Sequence, residues 1–131
     1  MGVSYARLKL ANVRRPELVP VEVEALADTD AVHLCIPEHV AIQLKLDELE
    51  KREVTIADGS RRLVPYVGPL VVSFGNRQCF VGAMVLGEQA LLGVIPMEDM
   101  DLVVHPKTRQ VVPNPDNPNV PGSMAMGVRH R

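Results

Sequence analysis

This sequence has few cysteines, no long apolar run and little net charge, and each shortage argues against a class of protein. Its two cysteines, Cys35 and Cys79, lie in apolar stretches without the spacing of a metal site, which predicts buried free thiols. The longest apolar stretches, residues 67–74 and 80–86, are broken by Gly, Pro or Ser well short of the roughly 20 residues that a membrane-spanning helix needs. A net charge of −2 with scattered basic residues argues against a nucleic-acid partner.

What remains is the composition of one globular domain. The 131 residues are 47% hydrophobic and 23% charged, which is enough apolar surface for a real core. The first residues show no basic stretch followed by an apolar block, so we expect no secretory signal and a cytoplasmic protein. Four of the eleven prolines fall in residues 113–131, which predicts an extended or disordered tail after a domain of residues 1–112.

The domain begins with a pattern typical of β-strands. Valine and glutamate alternate between Val19 and Ala25, which places apolar side chains on one face of a half-buried strand that ends at Asp28. Residues 5–13 are predicted to pair with this strand across a turn at residues 14–17. The first hairpin therefore delivers Asp28 to the end of a strand.

Two more hairpins are predicted further along the chain. Residues 53–57 and 63–67 flank Asp58-Gly59, a pair that accepts the positive backbone angles of a tight turn. The other hairpin joins residues 70–74 to 78–86 through Gly75-Asn76, and between the first two hairpins Pro37 is predicted at the first position of a short helix. We therefore expect an all-β fold, a closed barrel or a sandwich, with one or two short helices.

A second stretch repeats the order of strand, corner and helix. Residues 90–96 read as a strand that ends at Gly93, and a helical pattern follows. Only the first of these two units carries an aspartate at its corner. At the second corner, Gly93 would let one backbone pass close behind the other corner.

These features together resemble a known family. Residues 25–29 (ALADT) followed by Ala31, a hairpin about 30 residues later and Leu91-Leu92-Gly93 near the end are similar to the retropepsin-like, retroviral-type aspartic proteases, a group with bacterial members. The resemblance covers roughly residues 15–105. It implies a closed β-barrel of the acid-protease type, a hairpin flap over the substrate, and a homodimer with one active site on its two-fold axis.

The resemblance also implies roles for individual residues. Asp28 would be the catalytic carboxylate and Thr29 would lock the two corners together by hydroxyl hydrogen bonds, while Ala31 would line the cleft. The flap would run from Val54 to Val67. The site residues implied in this way are Asp28, Thr29, Asp30 and Ala31 at the corner, Ile56, Ala57, Asp58 and Gly59 in the flap, and Gly93 at the second corner.

The chemistry of such a site requires two chains. Hydrolysis of a peptide bond needs a base that activates water and an acid that protonates the carbonyl oxygen, and two carboxylates sharing one proton supply both. One chain brings only Asp28, so a two-fold axis must bring the other half. The expected partners are a second copy of the chain and a peptide or protein substrate.

Asp30 departs from the family, which has Gly at this place. Aspartate tolerates unusual backbone angles, but it adds bulk and charge, and a dimer would bring four carboxylates near one axis. Three outcomes stay open: a protease with an altered pH profile, an inactive dimeric module that binds peptides, or a site that recruits a cation.

A phosphatase is the alternative from another class. The letters DTDAV fit D-x-D-x-[TV], in which Asp28 would attack phosphorus and Asp30 would act beside Mg²⁺, with Glu98, Asp99 and Asp101 as distal ligands. That fold needs repeated alternation of strands and helices, which this chain lacks. We instead interpret these distal acids as the first turn of a short helix and His33 as a strand surface residue, and we infer no metal and no cofactor.

Overall fold

The computed structural model describes residues 3–125, which form a mostly β structure with two short helices. Among these residues, no helix is long and apolar enough to cross a membrane. In chain order the elements are β1 (Tyr5–Asn12), β2 (Val21–Ala27), β3 (Leu34–Ile36), α1 (Glu38–Gln43), β4 (Asp47–Thr55), β5 (Arg61–Phe74), β6 (Arg77–Val85), β7 (Ala90–Leu92), α2 (Val94–Asp99), β8 (Leu102–Val104) and β9 (Val111–Pro113).

Six strands close into a barrel. The sheet order is β1-β2-β7-β3-β6-β5-β4, and β1 also pairs with β5, so that β4 lies outside the ring as an edge strand. The hairpin partners are antiparallel, whereas β2 with β7 and β3 with β6 run parallel. The expectation of a closed β-barrel with one or two short helices is confirmed.

The barrel encloses one main core. Side chains of β1 alternate between buried and exposed, and Leu8 and Leu10 are fully buried, as the period of two in a strand requires. Leu44, just after α1, and Met100, just after α2, close the core from the two helical sides. Cys79 belongs to this core, whereas Cys35 belongs to a smaller cluster beside it, and both are buried free thiols as predicted.

The predicted hairpins are present, but two of the predicted strands are one. Residues 63–67 and 70–74 both belong to the continuous strand β5, which pairs with β4, β6 and β1. The Gly68-Pro69 pair shifts the register between Val67 and Leu70 without ending the strand. Hydrogen bonds continue on both sides of the shift, because a proline removes only one donor from the ladder.

The hairpin of β4 and β5 also differs in its length and its turn. β4 begins at Asp47, where the sequence pattern placed the strand start at residue 53. The turn spans Ile56 to Gly59, and the Gly59 N–H donates to the Ile56 carbonyl at 2.8 Å. Gly59, with φ of +87°, is the last residue of this four-residue turn, rather than the second residue of the two-residue turn that Asp58-Gly59 predicts.

The helices and the start of β2 need three further corrections. Pro37 is the N-cap of α1 rather than its first helical residue. Val19 is largely exposed, because β2 begins only at Val21. Glu98 and Asp99 lie in the last turn of α2, not in a first turn, because this helix starts directly after Gly93.

The described part of the C-terminal segment is attached to the barrel. The Asp101 carboxylate accepts hydrogen bonds from the side chains of Asn114 and Asn117 and from the Gly122 N–H, at 2.8 to 3.1 Å. The buried Arg77 donates to the Asn117 carbonyl. We call these contacts the C-terminal clip. Whether the rest of residues 113–131 is extended or disordered stays a prediction, since residues 126–131 lie outside the described range.

We expect Asp101→Asn to loosen the C-terminal clip. The Gly122 N–H, followed by the two asparagine side chains, lowers the pKa of Asp101 from its ordinary value of 3.8. A lowered folded-state pKa contributes stability above the unfolded-state value, and this contribution is lost as the pH falls through the folded-state value. Hydrogen exchange at the Gly122 amide should become about tenfold faster in the variant, because a charge-assisted hydrogen bond is lost.

The control for this prediction is Asp99→Asn, which makes the same chemical change two positions earlier. The amide of Gly122 should exchange at the native rate in this control. Equal exchange in all three proteins would show that Asp101 does not hold the segment.

Candidate active site at the Asp28 corner

Asp28 follows the last residue of β2 and is held there by its backbone. Its N–H donates to the Leu92 carbonyl at 3.0 Å, and its carbonyl accepts from the Ala31 N–H at 3.1 Å. Its side-chain Oδ1 accepts from the Asp30 N–H at 2.9 Å. Aspartate favours such a local turn because its short carboxylate reaches the backbone two residues on. The half-buried carboxylate is thus fixed at the end of a strand.

The two corners of the chain are bonded to each other. Val94 and Ile95 at the start of α2 donate their N–H groups to the carbonyls of Ala31 and Val32, both at 2.9 Å. A Cβ added at Gly93 would lie 2.4 Å from the His33 carbonyl oxygen and within 3 Å of further backbone atoms of Ala31 and Val32. The close passage of one backbone behind the other, expected at Gly93, is present in the structure.

The hairpin of β4 and β5 lines the same cavity as the Asp28 corner. Its tip is ordered by Asp58, whose Oδ1 accepts from the Ser60 N–H at 2.8 Å and from the Ser60 hydroxyl at 2.6 Å. The Ser60 hydroxyl and then its N–H lower the pKa of Asp58, so this exposed carboxylate is ionised at neutral pH. Behind the tip, Val54 and Tyr66 pack on the small cluster that contains Cys35 and Met84.

A cavity of about 660 Å³ lies between the Asp28 corner and the hairpin. Its size is that of an ordinary ligand cleft. The corner, the hairpin edge and the barrel wall all line it; the lining residues used below are Asp28, Asp30, Ala31, Val32, His33, Cys35, Glu53, Val54, Ile56, Ala57, Met84, Leu86 and Leu91.

His33 connects the corner to the base of the hairpin. Arg52 donates from Nη1 to the His33 Nε2 at 3.3 Å, and its guanidinium carbon lies 3.9 Å from the centre of the Tyr66 ring. Burial, and secondly the Arg52 charge, lower the pKa of His33. The imidazole is therefore neutral at neutral pH and accepts from Arg52, so it ties β4 to the corner rather than serving as a free base.

Cys35 lies in the same cavity but is not activated as a nucleophile. Burial, and secondly the Asp28 charge, raise the pKa of its thiol. The sulfur lies 4.0 Å from the His33 carbonyl oxygen, so its polar contact is to the backbone of His33. A thiol with a raised pKa stays protonated at neutral pH, so Cys35 forms part of the cavity wall and is not a nucleophile.

The structure brings together some of the predicted site residues and separates others. Asp28, Asp30 and Ala31 line the cavity together with the predicted flap residues Ile56 and Ala57. Thr29 is exposed, Asp58 and Gly59 form the hairpin tip, and Gly93 lies behind the corner.

Other lining residues were not predicted as part of the site. His33 and Cys35 were predicted only as a surface residue and a buried thiol, and Glu53 and Leu86 carry no local signal. Arg52, which braces His33, falls in a charged stretch that the sequence pattern left unassigned. These residues become neighbours only through the closure of the barrel and the fold-back of the hairpin.

The distal acids proposed for a phosphatase are not among the residues that line this cavity. Asp101 is engaged in the C-terminal clip, and Glu98 and Asp99 are at the end of α2. Within residues 3–125, no group of three or more His, Cys, Asp or Glu side chains is placed to hold a metal ion.

The comparisons with known proteins add little to this description. No protein-family model and no curated protein match the chain. Among solved structures, it is similar to a protein of unknown function (DUF785) from Legionella pneumophila subsp. pneumophila str. Philadelphia 1, with 13% identity and a TM-score of 0.40. The alignment covers 76% of this chain and 89% of the Legionella chain. Fold and function therefore rest on the residues of this chain.

Proposed function

We propose that this chain is one half of a homodimeric, retropepsin-like aspartic endopeptidase, with Asp28 as its catalytic carboxylate. The observation that supports this most is the shared cavity: Asp28 at the end of β2 and the hairpin residues Ile56 and Ala57 line the same space of about 660 Å³. A carboxylate fixed by backbone hydrogen bonds at the wall of a cleft is an arrangement that acid–base hydrolysis of a bound chain can use.

The hairpin edge supports a peptide as the ligand. β4 is the last strand of the sheet order, so its outer edge has backbone N–H and C=O groups directed away from β5. Residues 53–57 of this strand and turn line the cavity. An extended peptide adds to such an edge by main-chain hydrogen bonds, while pockets for alternate side chains supply specificity.

The mechanism requires a second copy of the chain. One Asp28 carboxylate takes a proton from water, and the other, protonated, donates to the carbonyl oxygen of the scissile bond. The exposed apolar side chains of Val32 and Ile95 lie on the two bonded corners and are 55% and 43% exposed. A two-fold partner that covers them would bring the second Asp28 beside the first.

A dimeric module that binds peptides without cleaving them is the second candidate. It is favoured by Asp30, which lines the cavity with its own carboxylate beside Asp28. A phosphatase is not favoured, since the closed barrel of antiparallel hairpins lacks the alternating parallel strands and helices which that chemistry uses.

The test is cleavage of a mixed peptide library by the purified protein across about pH 3 to 8. We expect native protein to cleave peptides without added metal, and Asp30→Gly to cleave them as well. Sedimentation of the native protein should give a dimer at the concentrations used. Cleavage by Asp30→Gly but not by the native protein would support the binding module. Absence of cleavage by both proteins would overturn the endopeptidase.

A further inference from the structure

The cavity at the Asp28 corner is acidic on opposite sides. Asp28 and Asp30 line it from the corner, and Glu53 lines it from the hairpin edge. None of the described residues that line it is lysine or arginine. His33 is the one imidazole among them, and its lowered pKa keeps it neutral at neutral pH. Arg52 lies beside the cavity, where it donates to His33 and pairs with Glu50 at 2.6 Å. The charged side chains that line the cavity itself are therefore acidic on two walls.

The charge of Glu53 remains available to a ligand. It forms an ion pair with Arg61 across the hairpin, with 3.7 Å between Nη1 of Arg61 and Oε1 of Glu53. The two side chains are 57% and 70% exposed, so water and salt weaken this ion pair. A cation that enters the partly enclosed cavity can interact with Glu53 without first breaking a strong contact.

The remaining walls are apolar. Val54 and Ile56 on the hairpin face Met84, Leu86 and Leu91 on the barrel side. An apolar wall with a carboxylate at its margin suits the side chains of lysine and arginine, which bury their methylene stems and keep the charged end at a polar group. The same wall accepts an aliphatic neighbour in an extended chain.

We infer that the cleft selects peptide segments in which a lysine or arginine stands next to an aliphatic residue, with Asp30 and Glu53 as the specificity-determining residues. This inference rests on the proposed peptide site and gives Asp30 a role other than a defect. Two protomers would double the acidic walls, so the preference for basic segments is stronger in the dimer. Acidic peptides are rejected because their carboxylates would face like charges.

The test separates binding from cleavage. Three labelled peptides of equal length combine Leu and Ala with either Lys, Gln or Glu at the same positions, and their binding to Asp28→Asn protein is measured by fluorescence anisotropy. We expect the Lys peptide to bind at least about tenfold tighter than the Glu peptide, with the Gln peptide between them, and the difference to shrink at high salt.

Glu53→Gln is the diagnostic variant and Glu48→Gln is its control. Glu48 lies on the same strand but outside this cavity and pairs with Lys51. The ratio of Lys-peptide to Glu-peptide affinity should fall about threefold or more in Glu53→Gln and stay unchanged in Glu48→Gln. Equal changes in both variants would mean a general charge effect and would overturn the assignment to this cleft.

The other possible outcomes distinguish the charge preference from the endopeptidase activity. Library cleavage without enrichment of basic residues near the cut sites would overturn the charge preference while leaving the endopeptidase in place. Selective binding of the Lys peptide without any library cleavage would keep the preference and overturn hydrolysis. Absence of both binding and cleavage would overturn both proposals.

Discussion

Asp28→Asn should lower the rate of peptide cleavage by about 10²- to 10⁴-fold, because in the proposed mechanism Asp28 is the group that accepts and donates the proton. An asparagine still offers a side-chain oxygen to the Asp30 N–H, so the corner should keep its shape. The loss would then reflect chemistry rather than unfolding. Initial rates on one cleaved library peptide, at the optimal pH of the native protein, are the measurement.

Asp47→Asn is the matched control for this prediction. Asp47 begins β4 far from the corner and forms an exposed ion pair with Arg14. The Asp47→Asn variant should cleave the same peptide at the rate of the native protein. Cleavage by Asp28→Asn at the native rate would show that Asp28 is not part of the mechanism. Both variants must keep the melting temperature of the native protein for the rates to be compared.

Gly93→Ala should cost about 3 kcal/mol or more of folding stability, because its Cβ would overlap backbone atoms that cannot rotate away. The nearest of these atoms, the His33 carbonyl oxygen, would be 2.4 Å from the new Cβ. The segment of Ala31 and Val32 would have to move, and with it the hydrogen bonds that join the two corners. Urea unfolding, followed by circular dichroism, measures the change.

Gly59→Ala separates this overlap from the ordinary cost of replacing a glycine. Gly59 has open space around its Cβ position but a φ of +87°. Its replacement should cost about 1–2 kcal/mol, from backbone strain alone. If Gly93→Ala lost no more stability than Gly59→Ala, overlap between the two corners would not be the cause of the loss.

Local patterns were sufficient for the elements that carry Asp28. The alternation of valine and glutamate predicts β2, and β1 pairs with it as expected. The strand, glycine and helix of residues 90–99 are likewise present. These features share a short-range cause, since side-chain period and turn chemistry act within a few residues.

Long-range pairings were beyond the sequence. The parallel pairing of β2 with β7 joins Leu26 to Leu91, and neither strand carries a local sign of its partner. The first half of β4 is exposed and highly charged, so it shows no alternation, as suits an edge strand. The lining of the cavity could not be predicted for the same reason, because Glu53 and Leu86 come to line one cavity only in the completed fold.

The backbone hydrogen bond from Asp28 to Leu92 also affects when the corner can form during synthesis of the chain. The corner that holds the carboxylate is fixed by residues more than sixty positions downstream, including Gly93 and Val94. A ribosome-bound chain that ends before these residues lacks the partners that shape the corner, although its hairpins can form early. The hydrogen bonds that join this corner to Leu92 and Val94 thus form only after the last strand of the barrel, β7, has been made.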